Sequence, residues 1–282
     1  MRIDLHAHTL ASDGSDTPAE LVRLAAAAGM GALAVTDHDT VEGLPAALEA
    51  AARAGVEVLP GCEVTGEVDG RVVHLLAYGH GLMEPGAIDR AVTVRHDRQQ
   101  RNLRIGAALE ALTGVGYADA LELAGRSALS RAHFARALVR HGAVADVAEA
   151  FDRYLSNGRP AYVAAPSLPA AEVVALVHAV GGVVVLAHPG RLAEHEREHV
   201  VDAAIDTGVD GLEVWHPQHD QAVRRRLEVV ASRHGLLATG GSDYHGRHKP
   251  GVHLGSGTDG NVLVPARAVD DLKERLAAAL RR

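Results

Sequence analysis

The chain has 282 residues, of which 47% are hydrophobic and 3% aromatic, so it can bury the core of one large α/β domain, with or without an insertion. Its formal net charge of −8, with histidines neutral, means that the overall field does not favour nucleic acid or phosphate. A single cysteine excludes an internal disulfide framework, and because no apolar run reaches the roughly 18 residues of a membrane span, we expect a cytoplasmic protein without a membrane partner.

Short apolar runs alternate with helix-length segments along most of the chain. The predicted strands are residues 2–6, 32–36, 56–68, 183–187, 211–215 and 236–240. A helix begins at Thr17, whose side chain can form a capping box with Glu20, and further helices are predicted at residues 41–54 and 267–280. The repeated strand–helix order predicts a parallel sheet or a barrel.

Potential metal ligands fall at the carboxyl ends of these strands or just beyond them. The positions are His6, His8, residues 37–39, His188, His216 and Asp243. A β/α barrel carries its active site at that end, whereas buried structural histidines would scatter along helices and strands alike. Imidazoles and carboxylates together suit Zn, Mn or Fe, and such ions make a bound water nucleophilic at neutral pH. The sequence therefore predicts metal-assisted hydrolysis.

The dipeptide at residues 69–70, Asp-Gly, predicts a two-residue hairpin turn. Pairing across that turn places Glu63 opposite Leu76 and puts His74 on the same face, at a diagonal of about 7 to 8 Å between Cα atoms. Both side chains can then reach one ion. The alternative is a solvent-facing Glu63 and a packed His74. A bulge at Gly66 would break the parity that puts both residues on one face.

Six motifs along the chain contain most of these candidate ligands. They are His6-Ala7-His8, Asp13, Thr36-Asp37-His38-Asp39, Pro60-Gly61-Cys62-Glu63, His188-Pro189-Gly190 and Gly241-Ser242-Asp243-Tyr244-His245. Over nearly the whole chain the sequence resembles the PHP phosphoesterase family. The resemblance implies an amidohydrolase-like distorted (β/α) barrel of seven strands that holds three divalent ions.

The resemblance also implies how the ligands are shared. One ion would be bound by His6, His8, Glu63 and Asp243, a second by Glu63, His74 and His188, and a third by Asp13, His38 and His245. Glu63 would bridge the first two ions. This partition comes from the resemblance alone.

The strand–helix rhythm breaks between about residues 83 and 160, where charged helices are predicted at residues 87–112 and 132–140. We expect a helical subdomain, residues 83–160, inserted into a barrel. The barrel would then comprise residues 1–82 and 161–282.

Residues 130–139 resemble the nucleotide-phosphatase branch of the family, in which an Arg and a His two residues apart begin a helix that faces the metals. Here these residues are Arg131 and His133, and Ala132 stands between them where the family commonly has Pro. The resemblance implies that both contact substrate. The alternative is a solvated helix capped by Ser130.

Two further residues are candidate substrate contacts. Arg159 lies in a stretch similar to the same branch and can fork onto a phosphate, although an exposed linker arginine is an equal alternative. His216 ends a predicted strand, where it can contact phosphate or act as the catalytic proton donor to the leaving oxygen.

Together these observations predict a metal-dependent phosphoesterase that hydrolyses a nucleotide phosphomonoester. The expected partner is a small phosphorylated substrate, such as a nucleoside monophosphate or 3′,5′-bisphosphate, with short RNA 5′ ends as a further candidate. No dedicated nucleic-acid surface is evident, because basic runs such as residues 224–226 lack interleaved aromatic residues. The alternatives are a histidinol-phosphate phosphatase, a polymerase-editing module and a scaffold with purely structural metals.

Overall fold

The computed structural model describes residues 2–125, 129–164 and 167–281, with the backbone alone of residues 91, 92 and 94–96. Its chain divides into two compact units. The first unit comprises Met1–Ala91 and Ser167–Arg282, and the second comprises Val92–Pro166.

Strands lie in the first unit and helices occur in both units. The strands are β1 (Arg2–Asp4), β2 (Met30–Val35), β3 (Glu57–Val68), β4 (Arg71–Tyr78), β5 (Leu168–Pro169), β6 (Val183–Leu186), β7 (Gly211–Trp215), β8 (Leu237–Gly240), β9 (Val252–His253) and β10 (Gly257–Thr258). The helices are α1 (Pro18–Ala27), α2 (Leu44–Ala54), α3 (Asp89–Thr113), α4 (Tyr117–Ala124), α5 (Arg131–Arg140), α6 (Val147–Ala150), α7 (Ala170–Ala179), α8 (Glu194–Asp206), α9 (Gln221–His234) and α10 (Arg267–Ala279).

One sheet organises the first unit. Its strands follow the order β1-β2-β3-β4-β6-β7-β8, and β5 pairs with β3. Strand β4 runs antiparallel to both of its neighbours, and the other pairs of this sheet are parallel. The predicted α/β fold on a mostly parallel sheet is confirmed.

The outer strands β1 and β8 meet just beyond their ends. The N–H of Leu5 donates to the carbonyl of Gly240 at 3.1 Å, and Ala7 forms an isolated parallel bridge with Tyr244. This contact brings the segments that carry the first and last ligand motifs side by side. Full closure into a seven-stranded barrel stays a prediction.

The β3–β4 hairpin has the predicted register. Glu63 pairs with Leu76, and Thr65 pairs with His74. The turn residues have positive φ angles, 47° at Asp69 and 75° in the following glycine, as a type I′ turn requires. Because the pairing continues through Gly66 without a bulge, Glu63 and His74 share one face of the sheet.

Local hydrogen bonds explain where two elements begin and end. Helix α1 begins with the predicted capping box, in which the N–H of Glu20 donates to the Thr17 hydroxyl at 3.2 Å and the N–H of Thr17 donates to the Glu20 carboxylate at 2.8 Å. Strand β1 ends at Asp4, two residues earlier than predicted. Its buried carboxylate accepts the N–H groups of His6 at 3.1 Å and Ser242 at 2.8 Å, so the chain turns there towards the end of β8.

The second unit has its own apolar core. Ile105 and Leu109 of α3 pack in one buried cluster with Phe134 and Leu138 of α5. The two helices that were predicted at residues 87–112 and 132–140 correspond to α3 and α5. Helices α4 and α6 were not predicted, because their sequences of 8 and 4 residues are too short to show a clear period.

Candidate metal centre

All nine predicted metal ligands lie in the first unit and come together in four overlapping clusters. The clusters are His8, Asp13, His38 and His245; His6, His8 and Asp243; His6, Glu63 and His188; and His38, Glu63 and His74. Within each cluster the potential ligand atoms lie within 4.8 Å of one another. The shared members mean that these are parts of one centre.

Glu63 lies at the middle of the centre and is 1% exposed. Its Oε2 atom lies 3.1 Å from Nε2 of His6 and 3.0 Å from Nε2 of His8. Its Oε1 atom lies 2.7 Å from Nδ1 of His74 and 3.0 Å from Nε2 of His188. Because each oxygen faces a different pair of imidazoles, the carboxylate has the arrangement of a bridging ligand.

Asp13 joins a further pair of imidazoles. Its Oδ1 atom lies 3.2 Å from Nε2 of His245, and its Oδ2 atom lies 3.8 Å from Nε2 of His38. The structure also places Nδ1 of His38 3.4 Å from Oε2 of Glu63, so His38 adjoins the Glu63–His74 cluster as well as that of Asp13. The resemblance assigned His38 only to the set of Asp13.

Two unsatisfied nitrogen atoms test whether the donors fit metal ions. Nδ1 of His38 and Nδ1 of His74 are buried and have no hydrogen-bond partner among the residues that the structure describes, although both lie close to oxygens of Glu63. A buried ring nitrogen without a partner is costly unless another group satisfies it. Nitrogen and carboxylate donors that approach without hydrogen-bond geometry fit ligands of a shared divalent cation.

The ionisation states of several ligands also suit cations. Burial alone would raise the pKa of Glu63, but the charges of His38 and His6 outweigh it and hold that pKa well below its usual range. Burial lowers the pKa of His188 to about 3, against the opposing effect of Glu63. Glu63 is therefore ionised and His188 neutral at pH 7, as metal ligands must be.

The imidazoles of His8 and His6 differ from that of His188 in that their pKa values are raised. Burial would lower the pKa of His8, but Asp243 and Glu63 outweigh it and raise that pKa to about 10. The pKa of His6 is raised well above its usual range against the effect of burial, mainly by the charges of Glu213 and Glu63. Metal binding at these two side chains therefore releases protons.

Glu213 is a buried carboxylate of β7 that sequence analysis did not single out. Its Oε1 atom accepts from Nδ1 of His6 at 2.9 Å, and its Oε2 atom accepts from the backbone N–H of His188 at 2.7 Å. The contact to His6 holds a proton on Nδ1, so Nε2 is the ring nitrogen that faces the centre and can bind an ion once its own proton is released. An acidic residue within the apolar run at residues 211–215 was the signal that could have identified it.

His216 lies at the end of β7 and is fully buried. The N–H of Gln218 donates to its Nδ1 atom at 3.1 Å, and its Nε2 atom lies 3.2 Å from Oδ2 of Asp243. Two cations that the sequence did not indicate also adjoin Asp243. Lys249 contacts the same carboxylate, and Nη1 of Arg191 lies 3.9 Å from Oδ2.

The loop after β6 holds His188 in a strained conformation, with a φ angle of 31° that non-glycine residues rarely adopt. His219 fixes this loop, because its Nε2 atom accepts from the N–H of Gly190 at 2.9 Å while its Nδ1 atom donates to the carbonyl of Val214 at 2.9 Å. Arg197 donates to the carbonyl of Gly190 at 3.1 Å. These side chains hold the ligand loop against the end of β7.

Asp37 and Asp39 lie beside the ligand His38 but do not belong to the clusters. Asp37 accepts from the N–H of Thr9 at 2.8 Å and from the hydroxyl of Ser12 at 2.6 Å, and so holds the loop between His8 and Asp13. Asp39 accepts from the N–H of Thr65 at 2.7 Å. Both carboxylates therefore support the loops around the ligands.

Comparison with known proteins identifies the family. The model of the PHP domain matches residues 4–161. The chain is 37% identical to the 3′,5′-nucleoside bisphosphate phosphatase of Chromobacterium violaceum, over 91% of this chain and 92% of the relative. This protein belongs to the PHP domain family. These matches also confirm the prediction of a metal-dependent phosphoesterase.

Two further comparisons agree with this family. The PHP protein is 36% identical to the 5′-3′ exoribonuclease Rnm of Salmonella typhimurium, over 89% of this chain and 87% of the relative. A crystal structure from Bifidobacterium adolescentis, assigned as a metal-dependent phosphoesterase, superposes with a TM-score of 0.82 at 36% identity and covers 97% of this chain and 96% of its own.

The predicted substrate contacts of the PHP protein in its second unit have varied surroundings. The guanidinium of Arg131 lies 5.9 Å from the ring centres of both Phe151 and Tyr162. His133 is buried, and its Nδ1 atom accepts from the N–H of Ser130 at 3.1 Å, which stabilises the start of α5 without the proline that is common in the family. Arg159 is exposed and pairs with Asp152 at 2.7 Å.

Within residues 2–125, 129–164 and 167–281, no helix combines the length and the apolar character that crossing a membrane requires.

Proposed function

We propose that this PHP protein hydrolyses the phosphomonoester of a nucleotide, with a nucleoside monophosphate or 3′,5′-bisphosphate as substrate and short RNA 5′ ends as further candidates. The observation that carries the proposal is the placement of Glu63 between two pairs of imidazoles at distances of 2.7 to 3.1 Å. The names of the relatives, a nucleoside bisphosphate phosphatase and an exoribonuclease, supply the substrate class.

We further propose that the centre holds three divalent ions, Zn, Mn or Fe. The ligand sets are those that the resemblance implies: His6, His8, Glu63 and Asp243; Glu63, His74 and His188; and Asp13, His38 and His245. When bound, such ions lower the pKa of water and neutralise the charge of phosphoryl oxygens. The four overlapping clusters of donor atoms support a centre with more than one ion.

In this proposal His216 is the catalytic proton donor and also contacts the phosphate. The N–H of Gln218 lies 3.1 Å from its Nδ1 atom, and its Nε2 atom lies 3.2 Å from Oδ2 of Asp243. A proton on Nε2 can hydrogen-bond a phosphoryl oxygen, and its transfer to the leaving oxygen requires the imidazolium form of the ring. Burial of the ring excludes bulk water from this transfer.

Arg131, His133 and Arg159 are proposed as substrate contacts of an inserted helical subdomain, residues 83–160. The boundaries of the second compact unit, Val92–Pro166, support the insertion. A phosphate that reaches Arg159 has to compete with the carboxylate of Asp152. A cytoplasmic location and the lack of a dedicated nucleic-acid surface stay predictions.

A substrate panel tests the proposal. Protein of measured metal content is assayed with adenosine monophosphate, adenosine 3′,5′-bisphosphate, a short 5′-phosphorylated RNA, histidinol phosphate and p-nitrophenyl phosphate. We expect the highest kcat/KM for one of the nucleotides or the RNA. A preference for histidinol phosphate would overturn the proposed substrate class. If fully metal-loaded protein hydrolyses none of the five compounds, the proposed phosphatase activity is overturned.

A further inference from the structure

Helix α8 begins with a pair of histidines that the metal centre does not use. The sequence there is His195-Glu196-Arg197-Glu198-His199, in which the two histidines lie four residues apart. Residues at that spacing lie on one face of an α-helix, with their Cβ atoms about 5 to 6 Å apart. Two histidines at that spacing on a helix bind one zinc ion in proteins with the His-Glu-x-x-His pattern.

Both histidines are accessible from solvent. The side chain of His195 is 81% exposed, and that of His199 is 71% exposed. Within the described part of the chain, the nearest charged atom to Nε2 of His195 is Oε1 of Glu196 at 3.7 Å, which is longer than a hydrogen bond. The ring of His195 can therefore turn towards a ligand without losing a strong contact.

A carboxylate from another element faces the second histidine. Oδ2 of Asp69 lies 3.1 Å from Nε2 of His199. Asp69 is in the turn between β3 and β4, whereas His199 is in the second turn of α8. The pair therefore connects two elements of the first unit and already provides two donors of different chemical type.

An ion pair holds the same two elements together. Nη2 of Arg71, at the start of β4, contacts Oε1 of Glu196 in the first turn of α8. This contact fixes the helix beside the hairpin turn, next to His195 in the chain. Among the described residues, the donor sets that already lie within 4.8 Å of one another all belong to the metal centre, so closing this second set requires the His195 ring to turn.

The donor types indicate which ions this surface would bind. Two imidazoles and one carboxylate suit Zn²⁺ and neighbouring transition metals, and three protein ligands leave one position open for water. Ca²⁺ and Mg²⁺ prefer oxygen donors and are therefore disfavoured. The acidic neighbours Glu194 and Glu198 on the same helix add a local field that favours a cation.

Peptide hydrolysis does not follow from the pattern. In zinc peptidases the glutamate of His-Glu-x-x-His acts as the general base. Here Glu196 contacts the guanidinium of Arg71, and a carboxylate that is paired with a cation is a poor proton acceptor. The arrangement therefore supports metal binding rather than peptidase activity.

We propose that His195, His199 and Asp69 bind a divalent transition-metal ion, with zinc as the expected ion, and that this ion joins α8 to the β3–β4 turn. Strand β4 carries the ligand His74, and α8 carries Arg197, which donates to a carbonyl of the His188 loop. The ion therefore braces two elements that position ligands of the metal centre. The site lies outside that centre and does not depend on the proposed function.

Zinc stoichiometry tests the site directly. The full chain, with its metal centre filled with zinc, is dialysed against excess zinc, and bound zinc per chain is measured by elemental analysis. We expect the double variant His195→Gln/His199→Gln to bind one zinc equivalent fewer than the wild type. The matched control is His234→Gln, which removes an exposed histidine of α9 and should keep the wild-type content. Equal zinc content in the double variant and the wild type would overturn the proposal.

Asp69→Asn tests the third ligand without disturbing the turn. Asn-Gly favours the same type I′ turn as Asp-Gly, so the hairpin should be kept while the carboxylate charge is lost. We expect zinc affinity at this site to fall roughly 10- to 100-fold or more, because even groups that only orient a metal ligand have effects of that size. Wild-type zinc affinity in Asp69→Asn would overturn the three-ligand site.

Thermal unfolding tests whether the ion braces the fold. An ion that binds only the folded chain raises the unfolding temperature. Zinc added to protein whose centre is already filled should therefore raise the unfolding temperature of the wild type and of His234→Gln, and leave that of the double variant nearly unchanged. Equal increases in the wild type and the double variant would overturn the bracing role.

Discussion

The buried carboxylate of Glu213 is expected to couple two ligands that the proposal assigns to different ions. One oxygen accepts from Nδ1 of His6 at 2.9 Å and the other from the N–H of His188 at 2.7 Å. Burial would raise the pKa of Glu213, but the charge of His6 and its hydrogen bond outweigh it and lower the pKa to about 2. The group is therefore a permanent acceptor at neutral pH.

Glu213→Gln keeps the size of the side chain and replaces one acceptor oxygen with an N–H donor. That donor must face either Nδ1–H of His6 or the N–H of His188, so one of the two contacts becomes a clash of donors. Loss of a hydrogen bond to a charged group costs about 1.5 to 3 kcal/mol. Groups that orient a metal-binding imidazole typically change metal affinity about 10- to 100-fold.

We therefore expect Glu213→Gln to bind divalent metal about 10- to 100-fold more weakly while keeping its fold. Competition with a chromophoric chelator measures the affinity, and circular dichroism checks the fold. Glu274→Gln, which changes an exposed glutamate of α10, is the matched control. Wild-type metal affinity in a correctly folded Glu213→Gln protein would refute the reasoning.

Three further outcomes follow from the site. Burial and the charge of His216 lower the pKa of His219 from 6.5 to about 4, so on acidification the unfolded chain takes up a proton before the folded one does. The free energy of unfolding should therefore fall as the pH drops from 6.5 to 4. An equally steep dependence of that free energy on pH in His219→Gln would contradict this. Hydrolysis by a single in-line attack of water should invert configuration at a chiral phosphate, and net retention would instead indicate a covalent phospho-enzyme. Arg131→Ala should lower kcat/KM roughly 10- to 150-fold for a nucleoside bisphosphate and much less for p-nitrophenyl phosphate, whereas equal losses would place Arg131 at the common phosphoryl centre.

The sequence allowed the backbone around Glu63 and His74 to be predicted in detail. A two-residue Asp-Gly turn leaves little freedom in the register of the two strands, and the side chains along a strand alternate between the two faces of the sheet. Counting residues back from the turn therefore showed that Glu63 and His74 share one face. The strand ends could be placed to within two residues, because apolar runs bounded by glycine and polar residues have few alternatives.

Other parts of the site depend on contacts between distant segments. Glu213 lies 207 residues from His6 in the chain, and only the pairing of the sheet brings them together. Lys249 and Arg191 reach Asp243 from separate loops, which a local pattern cannot indicate.

Metal stoichiometry in Glu63→Gln tests the central claim most directly. If Glu63 bridges two ions, the substitution removes a charge that both need, and elemental analysis should show a loss of more than one metal equivalent per chain. Glu67→Gln, an exposed position on the same strand β3, should keep the wild-type content. Unchanged stoichiometry in a normally folded Glu63→Gln protein would contradict the bridging role and the multinuclear centre built on it.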